Sequence, residues 1–173
     1  MRLSTLPSAT LLAWAALRIP EMHGQPFADS ATAMGIESDA GDVLGVVAFH
    51  SWEPWNGTIE VSAVSEDARW LLARKAWATM FDYAFLTCDC QKIWSRTPRR
   101  NVRALRFLKA LGFTFEAVLP RQFGTDDAVI SHRFREGYYS NAPNLVCLDL
   151  GNGLRTDAVF GAKGAPCLAG SEA

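Results

Sequence analysis

Between residues 31 and 64 the apolar positions come in short runs and alternations. Between 69 and 113 they recur at spacings of three and four. The first pattern predicts strands and the second helices. "ATAMGIES" (31–38) and "VLGVVAFHSW" (43–52) read as two strands of a hairpin joined by "DAGD", and "TIEVSAV" (58–64) reads as a third strand after the Asn-Gly turn of "EPWNG". In that third strand Ile59, Val61 and Ala63 point one way, and Thr58, Glu60, Ser62 and Val64 the other. From 69 to 86, Leu72, Ala76, Met80 and Ala84 recur at every fourth position with Trp77, Phe81 and Phe85 beside them, which predicts one continuous helix with a wide apolar face.

"KIWSRT" (92–97) is the next predicted strand. "VRALRFLKALGF" (102–113) is a helix with a stripe of Val102, Leu105, Leu108 and Leu111, closed by Gly112 in a left-handed cap. "FTFEAVL" (113–119) and "AVISHRFR" (128–135) are two closing strands joined by a loop containing "GTDD". At the front, residues 8–18 form a helix with Ser8 as N-cap and Pro20 as its stop, followed by a loop from 20 to 30. Its segment "LLAWAALRI" is short for a membrane span and reads as a packed helix rather than a signal sequence.

The order is helix, three strands, helix, strand, helix, two strands, so the expected class is α+β with mixed α/β character. Periodicity fades after about residue 137. The expected division is therefore one domain over 1–136 and an extension over 137–173, in which "NLVCLDL" (144–150) is a candidate short strand.

Composition narrows the function classes. A formal net charge of −1 gives no global pull toward nucleic acid or anionic membrane, so neither is an expected partner. Cys88 and Cys90 form C-x-C, which is not zinc-ligand spacing. With Cys147 and Cys167 they read as reduced thiols, so no metal is expected and the expected location is cytoplasmic.

"RWLLARKAWATMFDYAF" followed by "KIWSRTPRRNVRALRFLKALGFTFEAVL" resembles the GNAT superfamily of N-acetyltransferases. The clearest signature is "NVRALRFLKALGF", where Asn101, Ala104, Phe107, Leu111, Gly112 and Phe113 match the family's N-x-x-[AS] … G-F helix; Glu116 follows as a glutamate often does there. The resemblance spans roughly 30–135. Within the superfamily it looks most like the ribosomal-protein N-terminal acetyltransferase branch, including phage-borne versions.

The resemblance implies a central mixed sheet flanked by helices, in which two parallel strands, here 58–64 and 92–97, splay apart to hold acetyl-CoA as co-substrate. The first strand's end, Ala63 and Val64, would border the pantetheine arm. The pyrophosphate would sit on the helix that follows, where unpaired amides favour an anion. The family's loop there is [RQ]-x-x-G-x-[GA]. Counting from Val64 puts Arg69, Leu72 and Arg74 on it; counting back from "DYAF" puts Ala68, Leu71 and Ala73 there. Neither register supplies a glycine. Trp70 and Trp77 read as core or groove-wall residues rather than as a substrate cage. Arg74 and Lys75 read as phosphate partners or as a solvated face, and so does the cluster Arg99, Arg100, Arg103 and Arg106. Glu66 and Asp67 precede the turn and would repel a phosphate. Asn101, Ala104 and Leu108 fall on the helix that lines the co-substrate's other side.

For chemistry, the family's helix tyrosine is replaced by Leu108, which cannot donate a proton. Glu60 is the leading candidate for the base. His50, at the end of the preceding strand, and Ser95, on the splayed partner strand, are secondary catalytic candidates; His132, Asp126 and Asp127 lie near the expected acceptor mouth. The implied activity is acetyl transfer from acetyl-CoA to a primary amine: a protein N-terminus, a lysine or a small amine. The alternative is a GNAT-fold binding or structural protein of a phage particle or host cytoplasm. A homodimer is compatible with either.

Overall fold

The computed structural model describes residues 1–140; the expected strand at 144–150, Cys147, Cys167 and most of the extension from 137 lie outside the described residues. One seven-stranded sheet runs in the order β1-β2-β3-β4-β5-β7-β6. Its strands are β1 (Arg2–Leu3), β2 (Thr32–Glu37), β3 (Val43–Glu53), β4 (Thr58–Ser65), β5 (Lys92–Pro98), β6 (Thr114–Phe123) and β7 (Asp126–Phe134). All neighbours are antiparallel except β4 and β5. The α+β expectation and the mixed sheet therefore hold.

Helix α1 (Ser8–Ala16) packs Leu11 and Ala15 against Ala33 and Val46 on one face of the sheet. Helices α2 (Arg74–Asp82) and α3 (Val102–Ala110) cover the other face. There Trp77, Met80, Phe81, Leu108 and Leu111 close on Val47, Phe49, Ile59, Val61 and Ile93. The alternation read along β4 is observed: Ile59 and Val61 enter the α2/α3 core, while Val64 packs with the α1 cluster.

Four local expectations are corrected. The single helix over 69–86 is three pieces: a 3-10 turn (Ala68–Leu72), α2, and a wider π turn (Tyr83–Thr87). The break has a local cause. Asp67 caps the 3-10 turn by accepting the Arg69 N–H at 2.8 Å, and Ala73, at ψ 61, ends it before the chain re-enters helix at Arg74. Leu72 is consequently exposed rather than part of the apolar face. Ser8 is the first helical residue rather than the cap; Pro7 takes that place, and the Ser8 hydroxyl accepts the Ala33 N–H at 2.8 Å, tying α1 to β2. Val102 is half exposed and Leu105 belongs to neither core cluster, so the buried stripe of α3 begins at Leu108. A short helix α4 (Arg135–Ser140) follows β7 where irregular chain was expected; its Tyr138 ring packs on Phe81 and Phe85.

Two glycines permit close approaches. Gly112 sits at φ +83 as the expected left-handed cap of α3, with the buried Arg133 guanidinium beneath it donating to the Leu111 carbonyl. Gly45 on β3 lies flat under the Trp70 ring, which a Cβ there would overlap. Gly45→Ala is therefore expected to cost about 1–3 kcal/mol by overpacking. Urea denaturation checks this; an unchanged midpoint would mean that Trp70 is not seated on β3.

Candidate functional site

β4 and β5 are paired at only three positions, Thr58 with Lys92, Ile59 with Ile93 and Glu60 with Trp94. Both strands continue, to Ser65 and Pro98, each still paired on its outer side with β3 or β7. Beyond Glu60 their inner edges diverge, so the inward-pointing backbone groups of 61–65 and 95–98 face a gap rather than each other. Ala63 is exposed and Val64 half-buried at that edge. Inner-edge polar groups of this kind hydrogen-bond to water or to an extended ligand that carries its own amides.

The N-terminus of α2 is the second element. This nine-residue helix starts at Arg74 with no side-chain cap, and its first intrahelical bond is donated by the Trp77 N–H to the Ala73 carbonyl at 3.1 Å. Amides of a first helical turn have no intrahelical acceptor and favour an anion. The turn before it holds no glycine. Trp70 is turned inward, buried, packed edge-on to Trp77 and near Phe107. Leu71 is half-buried against the core, Leu72 is exposed, Ala73 and Arg74 are half-buried and Lys75 is exposed. The two acids before the turn are neutralised. Arg18, just beyond α1, donates to Glu66 at 2.7 Å, and Arg69 closes on Asp67, holding its carboxyl below the usual carboxylate range. Arg69 is thereby engaged within its own turn.

The two faces of the gap differ. On the α2/α3 side it is closed by apolar packing that leaves a cavity of about 30 Å³ lined by residues including Val61, Ala63, Trp77, Phe107 and Leu108. Leu108 is buried there, in the core. Asn101 serves as the cap of α3, its Oδ1 accepting the Ala104 N–H at 3.1 Å; Ala104 is half-buried. Ser95, the first β5 residue past the last pair, is buried on this side, directly across from Ser131. The Ser131 hydroxyl is fully buried with no hydrogen-bond partner among the described residues.

On the α1 side the gap opens onto polar groups. Glu60, only 4% exposed, accepts from Arg96 Nε at 2.7 Å and Nη2 at 3.2 Å. His50, opposite Glu60 on β3, places Nδ1 at 3.7 Å from Glu60 Oε2 and Nε2 at 2.9 Å from the Ser62 hydroxyl, with the Phe27 ring 5.4 Å away. Burial lowers the His50 pKa below the usual histidine value; Glu60 opposes that shift and Arg96 adds to it. Glu60 and His50, both expected from sequence, are thus brought together, while Ser95 lies on the opposite face. The candidates at the expected mouth are committed elsewhere: Asp126 and Asp127 to Arg100 and Arg99, and His132 to a position 3.2 Å from Glu116. Arg96, Ser62, Trp94 and Phe27 were not anticipated. No signal in the sequence singled out Arg96: that it shares a face with Glu60 follows from the register that pairs Glu60 with Trp94.

Among the described residues no group of acids, histidines and cysteines could hold a metal ion, and no helix is long and apolar enough to cross a membrane. A family model described as Acetyltransferase (GNAT) domain matches residues 6–114. No curated protein matches the sequence. The fold is similar to solved structures of spermidine/spermine N-acetyltransferase from Vibrio cholerae. Mutant forms of that protein align with a TM-score of 0.59 at 18% identity, over 66% of this chain and 72% of theirs. Another mutant of the spermidine N-acetyltransferase of that organism aligns with a TM-score of 0.66 at 15% identity, over 82% and 97%.

The His50 environment generates a pH prediction. Its folded pKa lies below the unfolded value of about 6.5, so the unfolded state binds the proton more readily and stability falls as pH drops through that value. His50→Gln is expected to lose less stability than the wild type between pH 7.5 and 5.5, measured by urea denaturation at each pH. Equal losses would mean that His50 is not held neutral.

Proposed function

The chain belongs to the acetyltransferase (GNAT) domain family and is an acetyl-CoA-dependent N-acetyltransferase, and from that premise we propose that the parted strands and the α2 N-terminus hold acetyl-CoA while the α1 face of the gap receives a primary amine. The observation that carries this reading is the loss of β4–β5 pairing after Glu60, directly before the start of α2. The residues present fit the co-substrate. Unpaired inner-edge groups of 61–65 and 95–98 suit the amides of a pantetheine arm, and the uncapped helix start suits a pyrophosphate. Arg74 and Lys75 add positive charge there. Acetyl-CoA supplies the activated acetyl thioester.

Transfer forms an amide bond and breaks the thioester C–S bond. The amine gives up a proton and the departing thiolate gains one. Glu60 takes the amine proton in this reading, directly or through one water, on Oε2, which has the longer contact with Arg96. His50, kept neutral by burial, lies beside that oxygen and can pass the proton toward Ser62. Arg96 holds Glu60 in place through two charge-assisted hydrogen bonds. Leu108 cannot serve the thiolate, so Ser95, at the point where the strands part, is the hydroxyl proposed for it. The acceptor classes open to this site are a protein N-terminus, a lysine side chain and a small amine.

Acetyl-CoA is expected to bind and to raise the melting temperature. Glu60→Gln is expected to lower kcat by about 10²–10⁴ while changing acetyl-CoA affinity by less than about threefold. Calorimetry and thiol-release kinetics measure these. No binding at millimolar acetyl-CoA would sink the reading, and undiminished turnover in Glu60→Gln would remove Glu60 as the base.

A further inference from the structure

Granting that this cleft acetylates an amine, we propose that the acceptor is a small amine carrying its own carboxylate, of the amino-acid class, with Glu60 facing its ammonium and Arg96 its carboxylate. The inference rests on that reading and narrows its acceptor.

Among the described residues, the polar approach for the amine is from the α1 side of the gap. On the α2/α3 side of the gap Trp77, Phe107 and Leu108 line an apolar cavity, whereas the α1 side presents Glu60, Arg96, His50 and Ser62. Within the central ion pair the two charges are unequally accessible. The Glu60 side chain is 4% exposed and the Arg96 side chain 38%. An incoming ligand therefore meets the cation first. Glu60 occupies Nε and Nη2 of the guanidinium; Nη1 makes no hydrogen bond among the described residues. The guanidinium lies 5.7 Å from the centre of the Trp94 ring, which steadies its stem and leaves a planar, prepositioned donor suited to a carboxylate.

A polycation is poorly matched to this mouth. Its first ammonium approaches Arg96, and the carboxylates flanking the strand ends are engaged: Asp127 with Arg99, and Asp126 and Glu21 with Arg100. A protein N-terminus or lysine would bring an ammonium with no carboxylate attached at short range. An amino acid carries both charges one carbon apart, so it can lie antiparallel to the Glu60–Arg96 pair, each charge opposite its complement. The same contact leaves the ammonium beside Oε2, where its proton is taken.

The test is a set of initial-rate measurements of thiol release from acetyl-CoA with the common amino acids, their carboxamides and spermidine. For at least one amino acid, kcat/KM is expected to exceed that of its carboxamide and of spermidine by on the order of tenfold or more, expressed in KM, as for one charge-assisted contact. In Arg96→Gln the acid-to-carboxamide ratio is expected to fall toward one, and Arg96→Lys to retain a preference of the same sign. Melting curves confirm that each variant folds, and the wild-type ratio decides the matter even if Arg96→Gln does not. A carboxamide or spermidine used as well as or better than every amino acid overturns the inference and leaves the acetyltransferase reading standing. Absence of acetyl-CoA binding overturns both.

Discussion

Two parallel strands that separate after three paired residues are the constraint on which the rest of this protein turns. A sheet normally satisfies every inner backbone group. Here β4 and β5 satisfy theirs only up to Glu60 and Trp94, and each is kept extended beyond that by its outer neighbour, β3 or β7. The gap is stable because both sides are anchored. Ile59, Val61 and Ile93 sit in the α2/α3 core just below the opening, so closing it would pull apart apolar packing on both flanks.

The same divergence explains the polar cluster on the α1 face. At the last paired position Glu60 is almost fully buried, and a buried carboxylate is costly without partners. Arg96, two residues further along β5, reaches across the widening gap to hold it with two hydrogen bonds. His50 completes the arrangement from the other side and stays neutral because it too is desolvated. One acid, one permanent cation and one neutral base are thus fixed at the lip of a cleft by backbone pairing rather than by loops.

The turn "ARWLLARKAW" seats a tryptophan without a glycine of its own. The bulk arriving with Trp70 is taken inward, onto Gly45 of the neighbouring strand, so the glycine that makes room lies in β3 and not in the turn. The 3-10 segment closed by Asp67 then sets back the start of α2 to Arg74. Arg69, which sequence counting put at the head of a phosphate loop, is instead the partner of Asp67. The family match ends at residue 114, yet β7 beyond it is what holds β5 apart from β4.

Strand and helix order, the two faces of β4, the left-handed Gly112 cap and the nearness of Glu60 and His50 were all legible in the sequence. Each depends on side-chain period or on a backbone conformation that only certain residues adopt. The inward seat of Trp70 and the clamp of Arg96 on Glu60 were not legible. They arise from contacts between segments 25 to 36 residues apart, Gly45 with Trp70 and Glu60 with Arg96. Linear spacing carries no record of which strand will lie under a ring, or of where two neighbours will cease to pair. The sequence alone determined the kind of sheet and the candidates for chemistry; the tertiary structure decided which of them meet, because it alone sets where β4 and β5 part.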